Sequence, residues 1–287
     1  MMDLMVHLDG SAEDEVRLAH ARTVIASIGA PSVTRLIGLF TNALPEFATV
    51  MPIEAGAAAV SVVADIEDQV RREGDNIEKA LNERLAGYGV PYEVRRLEAR
   101  PAGLARLAAR QARWADLFIA TCPYRGDAEQ DWGDLVEAVL TESGRGVLLA
   151  PPGAHAPEKF DRVLIGWRDC RQATRAVAEA MPLIASARQT DIVYAFTKED
   201  EATDRSAEDL AAHLRRQVSQ SAGQVAIHPV KLDAGVATEA LLDESERLGS
   251  NLMVMGGYGQ SRWLEWFMGG TTRDVITQTD RALLLAH

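Results

Sequence analysis

Five glycines cluster near the C-terminus, in an arrangement that suits the binding of an anion. They follow a short apolar run, Leu252–Met255, which is too short for a helix and predicts a buried strand. Thr271 and Thr272 stand where the next helix would begin, and hydroxyl residues are favoured there as N-caps. Glycines let the backbone approach a ligand, and the unpaired N–H groups of a helix start point towards it. The glycines are Gly256, Gly257, Gly259, Gly269 and Gly270.

The spacing of these glycines excludes two common phosphate-binding motifs. No Gly-Lys-Ser/Thr follows them, as a P-loop requires, and the tight G-x-G-x-x-G of a dinucleotide-binding turn is absent. Arg262 and Arg273 flank the loop and could neutralise phosphates, although ordinary solvated arginines would look the same. A tight strand–helix connection without any ligand is the other open interpretation.

Composition and charge limit the classes of protein to which the chain can belong. Its 287 residues carry a net charge of −12, which argues against nucleic acid or an anionic membrane as the general partner. No apolar run approaches the roughly 18–20 residues of a membrane span, and the first residues lack the features of a secretion signal. Cys122 and Cys170 are too few for a disulfide framework and suit a reducing compartment. We therefore expect a cytoplasmic protein.

Sequence signals for a metal site or for hydrolase chemistry are missing. The six histidines show no metal-binding spacing, so we expect no metal ligated by the protein. A G-x-S-x-G nucleophile elbow is also absent.

Strand and helix patterns alternate twice along the chain, which predicts parallel sheets covered by helices on both faces. The irregular, proline-rich stretch 151–160 separates the two series and is the best candidate for a linker. We therefore predict a first domain over 1–150 and a second over 161–287.

The two series resemble each other residue by residue, which indicates a duplication. ADLFIAT at 115–121 matches SNLMVMG at 250–256, and Leu8 falls on Trp167. The same comparison places Leu97 on Leu232 and Leu149 on Leu284. The first half carries an insertion at about 41–75, whose apolar residues could cover a small-molecule cavity or form a dimer contact.

Ligands of an open parallel sheet bind at the carboxyl ends of the strands, where the strand order reverses. In the second half the loops at that edge hold Arg168, Asp169 and the glycines. In the first half they hold Asp9 and a loop in which Thr121, Cys122 and Tyr124 replace Gly256, Gly257 and Gly259, and Pro123 removes one N–H donor. We expect at most one working anion site, in the second half.

The pattern Gly256-x2-Gly259-x9-Gly269 followed by Gly270-Thr271 is similar to the nucleotide-binding signature G-x2-G-x9-G-[S/T] of the universal stress protein family. The two-copy layout resembles a tandem member of that family. The resemblance implies a Rossmann-like α/β fold of the adenine nucleotide alpha hydrolase-like type, with strand order 3-2-1-4-5 in each half. It also implies ATP or another adenine nucleotide as ligand, with Mg²⁺ if the ligand is ATP.

Two departures from the family pattern bear on the ligand. Gly270 stands where the family has Ser or Thr, which displaces the hydroxyls of Thr271 and Thr272. The adenine-contacting Asp of the family corresponds to Arg168, with Asp169 one residue later, whereas Asp9 keeps that acid in the first half as part of a vestigial site.

We accordingly expect a non-catalytic, nucleotide-responsive stress protein that acts through an unidentified protein partner, with homodimerisation as an open alternative. An enzyme that hydrolyses ATP slowly and an interaction scaffold without ligand are the competing interpretations.

Overall fold

The computed structural model of the chain describes residues 2–46, 56–124, 132–196, 205–218, 224–232, 237–257 and 270–287. For 56–61 and 270–271 it describes the backbone alone. Residues 47–55 of the 41–75 insertion, with most of the apolar residues that could cover a cavity, therefore lie outside the described residues.

The predicted alternation of strands and helices is confirmed. The strands that the structure describes are β1 Met2–Leu8, β2 Thr34–Ala43, β3 Tyr92–Ala99, β4 Leu117–Thr121, β5 Gly146–Ala150, β6 Arg162–Gly166, β7 Gln189–Phe196, β8 Gln224–Lys231, β9 Leu252–Gly256 and β10 Ala282–Ala286. The helices are α1 Glu13–Ile28, α2 Gly56–Ala86, α3 Pro101–Ala112, α4 Gly133–Glu142, α5 Arg171–Ser186, α6 Ser206–Gln217, α7 Ala237–Leu248 and α8 Gly270–Gln278.

All these strands belong to one sheet, in the order β3-β2-β1-β4-β5-β10-β9-β6-β7-β8. Each half has the predicted order 3-2-1-4-5, and its strands run parallel. The halves meet at an antiparallel pair, in which Leu284 of β10 lies opposite Leu148 of β5. This antiparallel junction relates the two copies as the subunits of a symmetric dimer are related.

Strand register tests the proposed duplication. Val6 pairs with Ile119 in the first half, and Ile165 pairs with Val254 in the second, which confirms the matches at the first and fourth strands. The other two matches were wrong. We extended the comparison from β1 and β6 to the other strands by the pairing of neighbouring strands. Leu97 then corresponds to Val230, two residues from the predicted Leu232. Leu149 corresponds to Leu285, one residue from the predicted Leu284.

Helices cover both faces of the sheet, as a buried parallel sheet requires. α1, α2, α5 and α6 pack with one set of buried apolar residues, and α3, α4, α7 and α8 pack with the other. The first face runs across the junction of the halves, because α1 contacts α5. None of the helices in the described part of the chain is long and apolar enough to cross a membrane.

The stretch 151–160 forms no regular element, yet it is packed against the first half. Phe160 is buried in the core shared by α1 and α5, and its backbone N–H donates to Ser27 Oγ at 2.8 Å. The domain limits stay a prediction, while the core itself extends across them.

Candidate functional site

A buried cluster of charged and aromatic side chains lies at the carboxyl end of β1. Arg17 of α1 is at its centre and is 2 % exposed. Its guanidinium donates to Asp9 Oδ2 at 3.1 Å, to Asp14 Oδ1 at 3.0 Å and to Thr121 Oγ1 at 2.8 Å. The loops after the first and fourth strands therefore meet, as predicted, and a single arginine joins them.

Asp9, predicted to be the remnant of a site, has both carboxylate oxygens engaged within the protein. Besides Arg17, Oδ2 accepts the indole N–H of Trp132 at 2.6 Å. Oδ1 accepts the hydroxyl of Ser11 at 2.6 Å and its backbone N–H at 3.1 Å. A ligand that needed this carboxylate would have to displace those donors, and each lost buried hydrogen bond costs about 1–3 kcal/mol.

Asp14 closes the turn between β1 and α1. Its carboxylate accepts the backbone N–H groups of Asp9 at 3.1 Å and Gly10 at 2.9 Å. Trp132, at the start of α4, adds an apolar lid, since its ring meets the ring of His7 edge-on with centroids 4.7 Å apart. We call His7, Asp9, Asp14, Arg17, Thr121 and Trp132 the polar plug.

Electrostatics within the polar plug follow from two carboxylates that share one guanidinium. Burial would raise the pKa of Asp9, but the charge of Arg17 and the hydrogen bonds to it outweigh burial and hold that pKa below its usual range. For Asp14, burial and the neighbouring charge of Asp9 raise the pKa to about 6, against the opposing effect of Arg17. Burial, aided by Arg17, lowers the pKa of His7 to about 3, so the imidazole is neutral at pH 7.

The second half lacks this cluster at the matching positions. Gly166, Ala173 and Ala176 stand opposite His7, Asp14 and Arg17, and Gly256 stands opposite Thr121. Opposite Asp9 is Arg168, which is exposed, as is Asp169 next to it. Small residues of the second half thus stand at four of the positions that the polar plug occupies in the first half.

Gly256 and Gly257 are held by packing and by the sheet. A methyl group on Gly256 would lie 2.7 Å from the backbone nitrogen of Ala173, so β9 ends directly against the start of α5. The N–H of Gly257 donates to the carbonyl of Ala286 at 2.8 Å, and its carbonyl lies 3.2 Å from Nδ1 of His287. Neither observation involves a ligand.

The predicted N-cap position of the threonines was wrong. α8 already includes Gly270, so Thr271 and Thr272 lie within its first turn. Thr272 is 6 % exposed and faces the protein. Gly259, Gly269 and Arg262 lie outside the described residues.

Arg273 reaches the first half, because its guanidinium lies 4.8 Å from the centroid of the Tyr124 ring. Tyr124 has a left-handed backbone, with φ of 66°, at the position that corresponds to Gly259. An aromatic residue rarely adopts this conformation and glycine adopts it freely. Tyr124 of the first half therefore holds a backbone conformation that favours glycine.

Metal-ligating clusters are absent from the part of the chain that the structure describes. Neither cysteine forms a disulfide; Cys122 is buried and Cys170 is partly exposed.

The architecture matches that of several solved structures. A universal stress protein from Archaeoglobus fulgidus DSM 4304 superposes with a TM-score of 0.73 at 15% identity, over 99% of this chain and 97% of that one. The chain has the universal stress protein fold. A putative universal stress protein from Pseudomonas aeruginosa UCBPP-PA14 gives a TM-score of 0.53 at 14% identity, over 100% of this chain and 93% of the other.

The universal stress protein fold is not confined to stress proteins. The cytoplasmic domain of a prokaryotic cation chloride cotransporter superposes with a TM-score of 0.50 at 12% identity, over 99% of this chain and 95% of that domain. No family model and no curated protein matches the sequence. The function must therefore be argued from the site.

Sequence reasoning missed most of the polar plug in this universal stress protein fold. Only Asp9 and Thr121 were singled out, because their strands were compared between the halves. A signal was present in α1, where Asp14 and Arg17 occupy a helix stripe that carries Ala173 and Ala176 in the second copy. Charges on a stripe that is apolar in the duplicate indicate a buried polar network.

Proposed function

We propose that the chain is a tandem universal stress protein whose C-terminal half binds an adenine nucleotide and whose N-terminal half does not. The observation that carries this proposal is the difference between the two carboxyl edges. In the first half the polar plug fills the space at the end of β1 and engages Asp9. In the second half four of the residues opposite the plug are glycine or alanine, Arg168 stands opposite Asp9, and the glycine-spaced loop follows β9.

The backbone of that loop supplies the phosphate contacts in this proposal. Gly259 and Gly269 allow close approach, and the first N–H groups of α8, near Gly270 and Thr271, donate to the anion. Gly256 and Gly257 position the loop, since one packs on α5 and the N–H of the other is bound to Ala286. Thr272 stabilises the start of α8 from its buried position.

Side chains at the end of β6 complete the proposed site. Asp169 is exposed and can accept a hydrogen bond from the amino group of the base, while Arg168 beside it offers a positive charge to phosphates. Arg262 and Arg273 are further candidates for phosphate contacts, and Arg273 would have to leave the Tyr124 ring to make one. If the ligand is ATP, its phosphate oxygens would bind Mg²⁺, since the described residues offer no cluster of metal ligands.

The role that follows is non-catalytic. Nucleotide bound at this edge would change a surface that a partner protein or a second copy contacts. A cytoplasmic location and a homodimer remain predictions that accompany this role.

The decisive experiment is mass spectrometry of ligands released from the purified protein, combined with calorimetric titration of ATP and Mg²⁺. We expect one nucleotide per chain and no accumulation of ADP. Gly259→Ala and Gly269→Ala should each weaken binding at least about tenfold, because a methyl group blocks the backbone approach.

Gly103→Ala, in α3 of the first half, is the matched control and should leave the affinity unchanged. Steady release of ADP would instead support the enzyme. A chain that binds no nucleotide, or two loop variants with unaltered affinity, would overturn the assigned site.

A further inference from the structure

A cavity lies between α5 and α6, on the face of the sheet opposite α7 and α8. We call it the α5–α6 groove. Its volume is about 590 Å³, within the range of pockets that hold small organic molecules. It extends from Trp167 and Asp169, at the end of β6, along the facing sides of the two helices to Met181 and Gln217.

Apolar side chains form most of the groove. Val177 and Met181 of α5 face Leu210 of α6, and Trp167 closes the upper end. The indole N–H of Trp167 donates to Ser206 Oγ at 2.9 Å, which fixes the ring between β6 and α6. An oriented aromatic ring beside flexible apolar side chains suits the hydrophobic body of a ligand.

The charges at the groove have one sign. Asp169 and Asp209 are exposed and line it, His213 contributes an imidazole, and none of the described lining residues is lysine or arginine. Arg168, Arg175, Arg205 and Arg216 neighbour lining residues in the sequence, but they are not part of the lining. Carboxylates at the rim of an apolar cavity attract a cation, and an indole face strengthens the attraction.

The first half shows that this space is not an unavoidable gap between helices. There, a methyl group on Gly10 would lie 2.9 Å from Ile77 of α2, so α2 packs directly against the turn between β1 and α1. Arg84 of α2 pairs with Glu15 of α1. Further along α1, the guanidinium of Arg22 lies 4.6 Å from the ring centroid of Tyr88.

The second half has different residues at the positions that make these contacts. Asp169, Thr174 and Met181 stand where the first half has Gly10, Glu15 and Arg22. The ion pair and the cation–π contact have no counterpart at those α5 positions. The described residues of the first half thus make contacts between α1 and α2 at positions whose counterparts lie along α5 in the second half.

We propose that the α5–α6 groove binds an organic cation, an amine or guanidine with an aromatic or branched aliphatic body. The body lies against Trp167, Val177, Met181 and Leu210, and the charged group lies between Asp169 and Asp209. This site meets the proposed nucleotide site at Asp169, extends away from it between α5 and α6, and takes a ligand of the opposite charge.

Ligand-observed NMR with three related probes tests the proposal on the full chain. Phenethylamine is the cationic probe, 2-phenylethanol the neutral one and 3-phenylpropanoate the anionic one. We expect saturable binding of phenethylamine, roughly tenfold weaker binding of the alcohol and none of the carboxylate. Equal affinity for the amine and the alcohol would show that the carboxylates play no part and would overturn the proposal.

Two variants locate the binding. Asp209→Asn should reduce the affinity for phenethylamine roughly three- to tenfold, whereas Asp243→Asn, which removes the same charge from an exposed position on α7, should not. Met181→Trp should fill the groove and abolish binding. Unchanged affinity in Asp209→Asn would refute the site even if the tryptophan variant failed to fold.

Discussion

Individual residues at the ends of β1 and β6 decide how the two copies differ. Arg17 and Asp14 are buried charges that bind each other and the turn after β1, and alanines replace both in the second copy. Removing one member of such a network leaves an unpaired buried charge, whereas replacing the whole set with small residues does not. Ala173 and Ala176 accordingly stand together in the second half, where neither an unpaired Asp nor an unpaired Arg is left at these positions.

The plug also makes stability depend on pH, through His7. Its pKa is about 3 in the fold and 6.5 when unperturbed, so between these values the unfolded chain binds a proton that the folded chain does not. The stabilisation is complete above about pH 6.5 and is lost as the pH falls towards 3. Asp14 acts in the opposite direction, because its raised pKa of about 6 favours the folded state at lower pH.

We predict that lowering the pH from 7.5 to 4 destabilises the wild-type protein by about 3 kcal/mol more than His7→Gln, since only the wild type must keep a buried imidazole neutral. Urea unfolding of both proteins at the two pH values measures the difference. The comparison within each protein removes the direct cost of losing the hydrogen bond between His7 Nε2 and Thr41 Oγ1, at 2.9 Å, and the ring contact with Trp132. An equal acid-induced loss in both would contradict the prediction.

At the scale of elements, periodicity predicted the helices and strands because each buries a continuous apolar face. It could not fix details that depend on neighbouring elements. Leu97 was matched two residues away from its true counterpart, since residues two apart in a strand share a face. The plug stayed hidden because its members come from β1, α1, β4 and the start of α4, and only the fold brings them together.

Gly256 has a packing role that the sequence did not predict. The sequence suggested backbone approach to a ligand, whereas the structure shows backbone approach to α5. We predict that Gly256→Ala destabilises the protein by about 1–3 kcal/mol, because the added methyl group would lie 2.7 Å from the nitrogen of Ala173. Chemical denaturation without nucleotide measures this cost.

Gly103→Ala is the control for that measurement, since its methyl group would meet only the side chain of Ala99, at 3.3 Å, and alanine is favoured in a helix. It should leave stability unchanged or raise it slightly. If Gly256→Ala were as stable as the wild type, Gly256 would serve the ligand alone and the packing argument would fail.

The whole molecule combines two duplicated units into one sheet and one continuous core. The junction consists of β5 and β10, with Leu148 opposite Leu284, and both leucines are fully buried. α1 contacts α5 on the same face, and Phe160 lies in the core that both helices share. Because these contacts cross the predicted linker, the halves should support each other's stability, as subunits do in an obligate dimer.

We therefore predict that Leu284→Ala, although it lies in the second half, destabilises the first half as well. Deleting a buried leucine side chain costs about 2–5 kcal/mol, and the loss should appear in one cooperative transition. Native-state hydrogen exchange reports each half separately, so the amides of β1 and β2 should lose as much protection as those of β6 and β7. Val62→Ala, at a site that is 50% exposed on α2, should change neither half. Loss of protection confined to β6–β10 would mean that the halves unfold independently and that their shared core adds little to the stability of the first.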